Sequence, residues 1–303
     1  MSFTTKIKEE IVSNDLSETE KYSILAGFVR NNATWYEDKL QLINENGDII
    51  NYFKNILDMF KGIKYEEYTK DSNNFTKNDL HVLEIVEGSS FLLDLVAYQK
   101  EVPPDYFFDG KLETKAYLKG VFLNGGSVND PKTSRYHMEI LIDYPEEAVF
   151  VQKVLNSYNL NIKMLNRDRS YMLYLKEAEK ISDFLKIVDA TNSVLYYENV
   201  RIYRDKKNQT NRLNNCEQAN TDRIIASALE QLNQIEVLKE NNALDLLDDK
   251  TKEALYYREK YKEASLKELS EIIEKETGRS ISKSGLNHRF RKIKELASKF
   301  MEQ

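Results

Sequence analysis

At 303 residues the chain is long enough for two or three domains. Its one cysteine, Cys216, excludes an intrachain disulfide and a cysteine-built zinc site. No apolar run approaches the ~20 residues of a membrane span, so a cytoplasmic protein without membrane contact is expected. The net charge of −6 is unevenly spread: residues 1–110 carry 11 Lys plus Arg against 20 Asp plus Glu, residues 111–197 carry 12 against 11, and residues 198–303 carry 21 against 19. The first third is therefore a poor binder of polyanions.

In chain order, the apolar helix SILAGFVRNNATW from Ser23 returns in KAYLKGVFLNGGSVNDP from Lys115. Leu118, Gly120 and Asn124 fall on Leu25, Gly27 and Asn31, and Gly126-Ser127 on Ala33-Thr34. Glycine in mid-helix costs roughly 1 kcal/mol against alanine, so Gly27 and Gly120 imply two helices in close approach. The opposing reading is chance similarity between two amphipathic helices, and the segments downstream of each motif argue against it. After the first come strand-like Lys39 to Asn44, a helix over about 49–60, strands over 63–68 and 80–86, and a short helix from Ser89 to Tyr98. After the second come a strand over 137–142, a helix from Pro145 to Tyr158 with proline in its first turn, strands over 161–165 and 171–175, and a helix from Glu177 to Val188. Both halves read helix, strand, helix, strand, strand, helix. The expectation is a duplicated α+β domain over residues 1–188, with half-repeats of about 1–110 and 111–188 and the glycine-bearing helices at a pseudo-two-fold axis.

Residues 189–220 show little apolar periodicity and carry Arg201, Arg204, Lys206, Lys207 and Arg212. Two readings stand: a flexible basic linker near DNA, or a segment packed on both domains. Periodicity returns over 221–238 and a further helix covers about 247–261, so an all-helical domain is expected over 221–303. Within it, Ser265-Leu-Lys-Glu268 is a capping box, Leu266, Leu269, Ile272 and Ile273 form an apolar stripe, Gly278 breaks the pattern and Ser282 can cap again. Leu286, Phe290, Ile293, Ala297 and Phe300 make the inner face of the last helix, giving a helix-turn-helix over about 264–298. Ser282 to Lys299 carries six Lys or Arg against Glu295 alone. The outer face presents Lys283, Ser284, Asn287, His288 and Arg291 where base edges are met, with Lys292, Lys294 and Lys299 placed for phosphates. Asn and Arg bind A and G bidentately in the major groove. The alternative is a solvated basic surface helix.

The repeated ILAGF and YLKGVFLNGG segments resemble the LAGLIDADG motifs of homing endonucleases, and FLNGGSVNDP, NRLNNCEQAN and SLKELSE with SISKSGLNHRFRKIKEL resemble the WhiA family of bacterial regulators over nearly the whole chain. The resemblance implies a degenerate homing-endonuclease fold fused to a C-terminal helix-turn-helix. It also implies a transcription factor tied to sporulation in actinobacteria and to cell division and chromosome segregation in other Gram-positive bacteria, associated with the nucleoid.

Active LAGLIDADG enzymes hold divalent ions with one acidic residue at the base of each motif helix. Here those positions fall on Asn32 and Gly125, neither an anionic ligand, and Asp130 beside Pro131 suits a turn better than a metal. His81, His137 and His288 lack ligand spacing, and no phosphate-binding glycine loop is present. No catalytic residue, metal or cofactor is expected. Three functions remain in contention: a sequence-specific regulator of double-stranded DNA, a metal-dependent endonuclease, and an interaction protein whose acidic half docks RNA polymerase or another regulator. Arg135, Lys163, Arg167 and Arg169, on or between strands of the second half, are candidate DNA contacts by resemblance to the concave endonuclease sheet. Their other reading is solvated strand and hairpin charge.

Overall fold

The computed structural model describes residues 1–36, 39–71, 79–133 and 135–301. They form two compact units, Met1–Arg204 and Asp205–Gln303.

The first unit is a duplicated α+β domain. Helix α1 (Phe3–Val12) precedes the first half, which runs α2 (Glu18–Asn32), β1 (Thr34–Tyr36), β2 (Lys39–Asn44), α3 (Gly47–Leu57), β3 (Lys64–Lys70), β4 (Leu80–Glu87) and α4 (Ser89–Leu95). The second half repeats the order as α5 (Lys111–Gly125), β5 (Gly126–Val128), β6 (Met138–Ile142), α6 (Pro145–Ser157), β7 (Lys163–Arg167), β8 (Ser170–Leu175) and α7 (Ala178–Ile187). Each half builds an antiparallel sheet in the same spatial order, β1-β2-β4-β3 and β5-β6-β8-β7. Each half thus has one strand more than the sequence pattern shows. Strands β1 and β5 have three residues apiece, too short for alternation to register.

Helices α2 and α5 meet at their glycines, and the contact is reciprocal. A Cβ on Gly27 would overlap Tyr117 O and lie 3.2 Å from Val121 N; one on Gly120 would overlap Ile24 O and lie 2.7 Å from Phe28 N. Around this crossing, Ile24, Leu25, Phe28, Val29, Tyr117, Leu118, Val121 and Phe122 are all buried in one core that also takes in the inner faces of both sheets. A second buried feature links the halves. Arg30 of α2 donates to Glu147 of α6 at 2.8 Å, and Glu147 also accepts from the Tyr117 hydroxyl.

The second unit contains most of α8 (Thr191–Glu240), then α9 (Asp249–Lys260), α10 (Leu266–Thr277) and α11 (Lys283–Met301). Its own core joins Ile235 and Leu238 to Ala254, Leu255, Leu269, Ile273, Leu286, Phe290, Ile293 and Ala297. Helix α8 corrects the expected linker, because residues 191–240 form one helix of 50 residues. Neither proline nor glycine interrupts it. Apolar periodicity is missing because residues 205–220 are exposed on every side, and periodicity reports burial, not helicity. The start of the supposed linker is also fixed, with Asp189 paired to Lys119 at 2.8 Å and Lys115 at 3.2 Å. Among the described residues no helix is long and apolar enough to cross a membrane.

Candidate nucleic-acid interface

The helix-turn-helix is built by local signals that each do one job. The Ser265 hydroxyl accepts from Glu268 N while the Glu268 carboxylate accepts from Ser265 N, which starts α10. Gly278, at φ +71°, ends it in the left-handed conformation that glycine adopts without cost. Ser282 Oγ then accepts from Gly285 N at 3.1 Å and opens α11. Leu286, Phe290, Ile293 and Ala297 point into the core, which turns the opposite face of α11 outward. Arg258 holds the approach to α10. It is 1% exposed, lies over the Phe290 ring, donates to Gln231 Oε1, and donates to the carbonyls of Tyr261, Lys262 and Ala264. Burial lowers its pKa from the usual guanidinium value. Sequence reasoning missed this residue. Its signal was a charged side chain on the same helical stripe as Ala254 and Leu255.

Lys283, Ser284, Asn287, His288, Arg291, Lys292 and Lys294 are all exposed. Ser284, His288 and Arg291 lie farthest from the buried stripe, with Arg291 Nη2 3.3 Å from His288 Nδ1. Asn287 flanks them on the side of Lys283 and Lys294. Two of the three residues assigned to phosphates already have partners: Lys292 pairs with Asp248 at 3.0 Å and Lys294 with Glu230 at 2.7 Å. The Lys292 and Thr251 hydrogen bonds hold the Asp248 carboxyl down at about 2. Exposed pairs of this kind are screened by water and contribute little, so a phosphate can displace either carboxylate. Arg289 is a brace, donating to Lys250 O at 2.8 Å and to Glu253 at 3.2 Å, and contributes less free charge than the sequence count suggests.

The motif-helix bases hold amides and backbone instead of carboxylates. Asn32 donates to Ile43 O at 2.7 Å and to Asn124 Oδ1 at 2.8 Å, and accepts from Ile43 N at 2.8 Å, so its side chain pins β2. At Gly125 a Cβ would overlap Leu141 O and sit 3.2 Å from Leu141 N, which leaves no room for any side chain. Beside them the partly buried Lys8 of α1 donates to Leu123 O at 3.0 Å. Desolvation pushes its ammonium down to about 8, partly offset by Glu45. Lys8 was invisible to the motif comparison because α1 lies ahead of the repeated order of elements and has no counterpart in the second half. Asp130 accepts from Lys132 N at 2.9 Å and from the Tyr196 hydroxyl at 3.1 Å, a turn brace. Among the described residues no three His, Cys, Asp or Glu side chains gather as a metal site.

The outer sheet faces differ between halves. In the first, Glu84, 6% exposed, accepts from Lys39 at 2.5 Å, Gln41 at 2.7 Å and Tyr68 at 3.2 Å, a closed polar network. In the second, Lys163 and Arg167 share the outer face of β7 and are exposed, as are Arg135 and Arg169. Arg167 lies 3.9 Å from Glu139 and within 2.8 Å of Met172 Sδ. Arg201 and Arg204, candidates for DNA, are structural: Arg201 pairs with Glu179 and Glu198, and Arg204 donates to Pro131 O and Thr133 O over the Tyr136 ring. Lys206, Lys207 and Arg212 are exposed.

Residues 114–207 match the model of the WhiA LAGLIDADG-like domain and residues 210–297 that of the WhiA C-terminal HTH domain. A probable cell division protein WhiA of Bacillus mycoides (strain KBAB4) is 36% identical over 312 residues, covering 99% of this chain and 97% of the relative. The chain belongs to the WhiA family. The WhiA relative from Oceanobacillus iheyensis is 37% identical over 309 residues, covering 99% and 98%. Full-length DUF199/WhiA from Thermatoga maritima shares the fold at a TM-score of 0.60 and 23% identity, covering 99% of this chain and 98% of that one.

Proposed function

We propose that this chain is a sequence-specific DNA-binding transcriptional regulator acting in cell division and chromosome segregation at the nucleoid, with an inert homing-endonuclease scaffold. One observation carries the reading: the outward face of α11 offers Ser284, Asn287, His288 and Arg291 together, on a helix whose cap, turn and buried stripe are those of a recognition helix. The curated relatives are named as probable cell division proteins, which supports the cellular role. Selection of binding sites from a random duplex library with the intact protein tests it. An enriched consensus is expected; a pool that stays random would remove the claim of specificity.

The scaffold is inert in this reading because Asn32 is committed to β2 and Gly125 admits no side chain. Supercoiled plasmid is therefore expected to survive incubation with magnesium or manganese at large protein excess. Nicking that Asp130→Asn abolishes would instead establish a displaced metal site. A second reading gives the first half a partner of its own, RNA polymerase or another regulator, and is favoured by its excess of 20 acidic over 11 basic residues within residues 1–110.

A further inference from the structure

We infer that the exposed middle of α8 is a second DNA-reading helix, whose face of Asn208, Arg212, Asn215, Ala219 and Arg223 enters the major groove beside α11. The inference rests on the reading of α11 as a recognition helix and extends it to a surface outside the helix-turn-helix.

From 205 to 227 every residue of α8 is exposed. A helix with no tertiary cover depends on intrinsic propensity, yet this one is rich in residues that weaken helices, with Asn208, Thr210, Asn211, Asn214, Asn215, Asn220 and Thr221. Such a composition serves something other than self-stability. At 3.6 residues per turn, 208, 212, 215, 219 and 223 fall on one face and span about 22 Å, roughly two thirds of a turn of duplex DNA. Asn and Arg are the side chains that pair bidentately with A and G, and Ala219 between them lets the helix sit close to base edges. Among the described residues the side chains of Asn208, Arg212 and Asn215 make no hydrogen bond, whereas Gln218 and Asn220 are engaged by Asp222 and Cys216. Residues 206–216 carry Lys206, Lys207 and Arg212 and no carboxylate, a locally cationic stretch beside which phosphates would run.

The face is continuous with α11. Glu230, on the same side of α8 as Arg212 and Arg223, is the partner of Lys294. Arg223 and Ser227 line a 390 Å³ groove together with Lys267 and with Lys283, the first residue of α11. The cations of α8 therefore adjoin the Lys283, Asn287 and Lys294 flank. A second copy of this chain is the weaker occupant, because the face has no apolar seam. The exposed Ile202, Leu213 and Ile224 lie on the opposite side, eleven residues apart with Lys206, Glu217 and Asn220 between them, too sparse for a coiled-coil seam.

The intact protein decides it. On the duplex selected by the wild type, Asn208→Ala/Asn215→Ala is expected to lose about 10-fold or more in affinity, with unchanged binding to random DNA and unchanged helical circular dichroism. Its reselected consensus should relax at base pairs adjoining those that relax in Arg291→Ala. Arg212→Lys, which keeps charge but not the fork, should lose affinity on the selected duplex alone. If the α8 variants keep wild-type affinity and consensus while Arg291→Ala loses specificity, α8 is not a reader and the α11 assignment stands. If Arg291→Ala is also silent, the underlying reading has failed with it. Variants that shift a monomer–dimer equilibrium in sedimentation and leave DNA affinity intact also overturn the inference.

Discussion

Gly120→Ala is expected to destabilise the first unit by about 3 kcal/mol or more, at the upper end of what overpacking costs. On an exposed helix the same change would stabilise by roughly 1 kcal/mol, so helix propensity and packing predict opposite signs. Packing wins here because the added methyl meets backbone: Ile24 O, Phe28 N at 2.7 Å and Gly27 C at 3.0 Å. No rotamer change relieves a clash with main chain, and the two helices must part. Parting them loosens Phe28, Phe53, Val121 and Phe122, all buried in the shared core. Gly285→Ala in α11 is the internal control. There the methyl would meet only the Ile281 side chain at 3.3 Å and the Ser282 hydroxyl at 3.5 Å, so a near-neutral effect is expected. Urea unfolding of the intact chain, followed by probes in each unit, measures both; a stabilised Gly120→Ala would show that the helices do not cross at their glycines.

Arg30→Met is expected to cost about 3 to 5 kcal/mol, the usual penalty for stranding one member of a buried ion pair. Arg30 and Glu147 are 5% and 2% exposed, and the guanidinium also donates to the carbonyls of Ala97 and Lys100. Without it Glu147 keeps, among the described residues, the Tyr117 hydroxyl, and three carbonyls, those of Ala97, Lys100 and Glu101, lose a donor. Arg30→Met/Glu147→Leu should recover part of the loss, since it removes the stranded charge but leaves the carbonyls unpaired and takes the acceptor from the Tyr117 hydroxyl. Equal losses in the single and double variants would mean that the neutral hydrogen bonds, to the carbonyls and from the Tyr117 hydroxyl, outweigh the stranded charge.

The duplication was legible because glycine in an apolar helix is costly and so carries information, and because Asn31 and Asn124 repeat at the same offset. The helix-turn-helix was legible through Ser265, Glu268, Gly278 and Ser282, whose roles depend only on neighbours in sequence. Long-range roles were not. Arg204 and Arg201 read as free basic charge, although α8 turns them onto Pro131, Thr133, Glu179 and Glu198. Residues 205–220 read as linker because the pattern used to find helices is a pattern of burial, and nothing buries them. Lys292 and Lys294 read as phosphate contacts, and their carboxylate partners lie 44 and 64 residues away in sequence, beyond any local rule.

The most direct test compares wild type, Asn287→Ala, Arg291→Ala and Lys294→Ala in the intact chain on a selected duplex and a scrambled one across a salt series. Asn287→Ala and Arg291→Ala should each lose ~1 to 3 kcal/mol on the selected duplex and little on the scrambled one. Lys294→Ala should weaken both equally and flatten the salt slope by about one. Equal losses on both duplexes for all three variants would contradict the assignment of α11 as the helix that reads sequence.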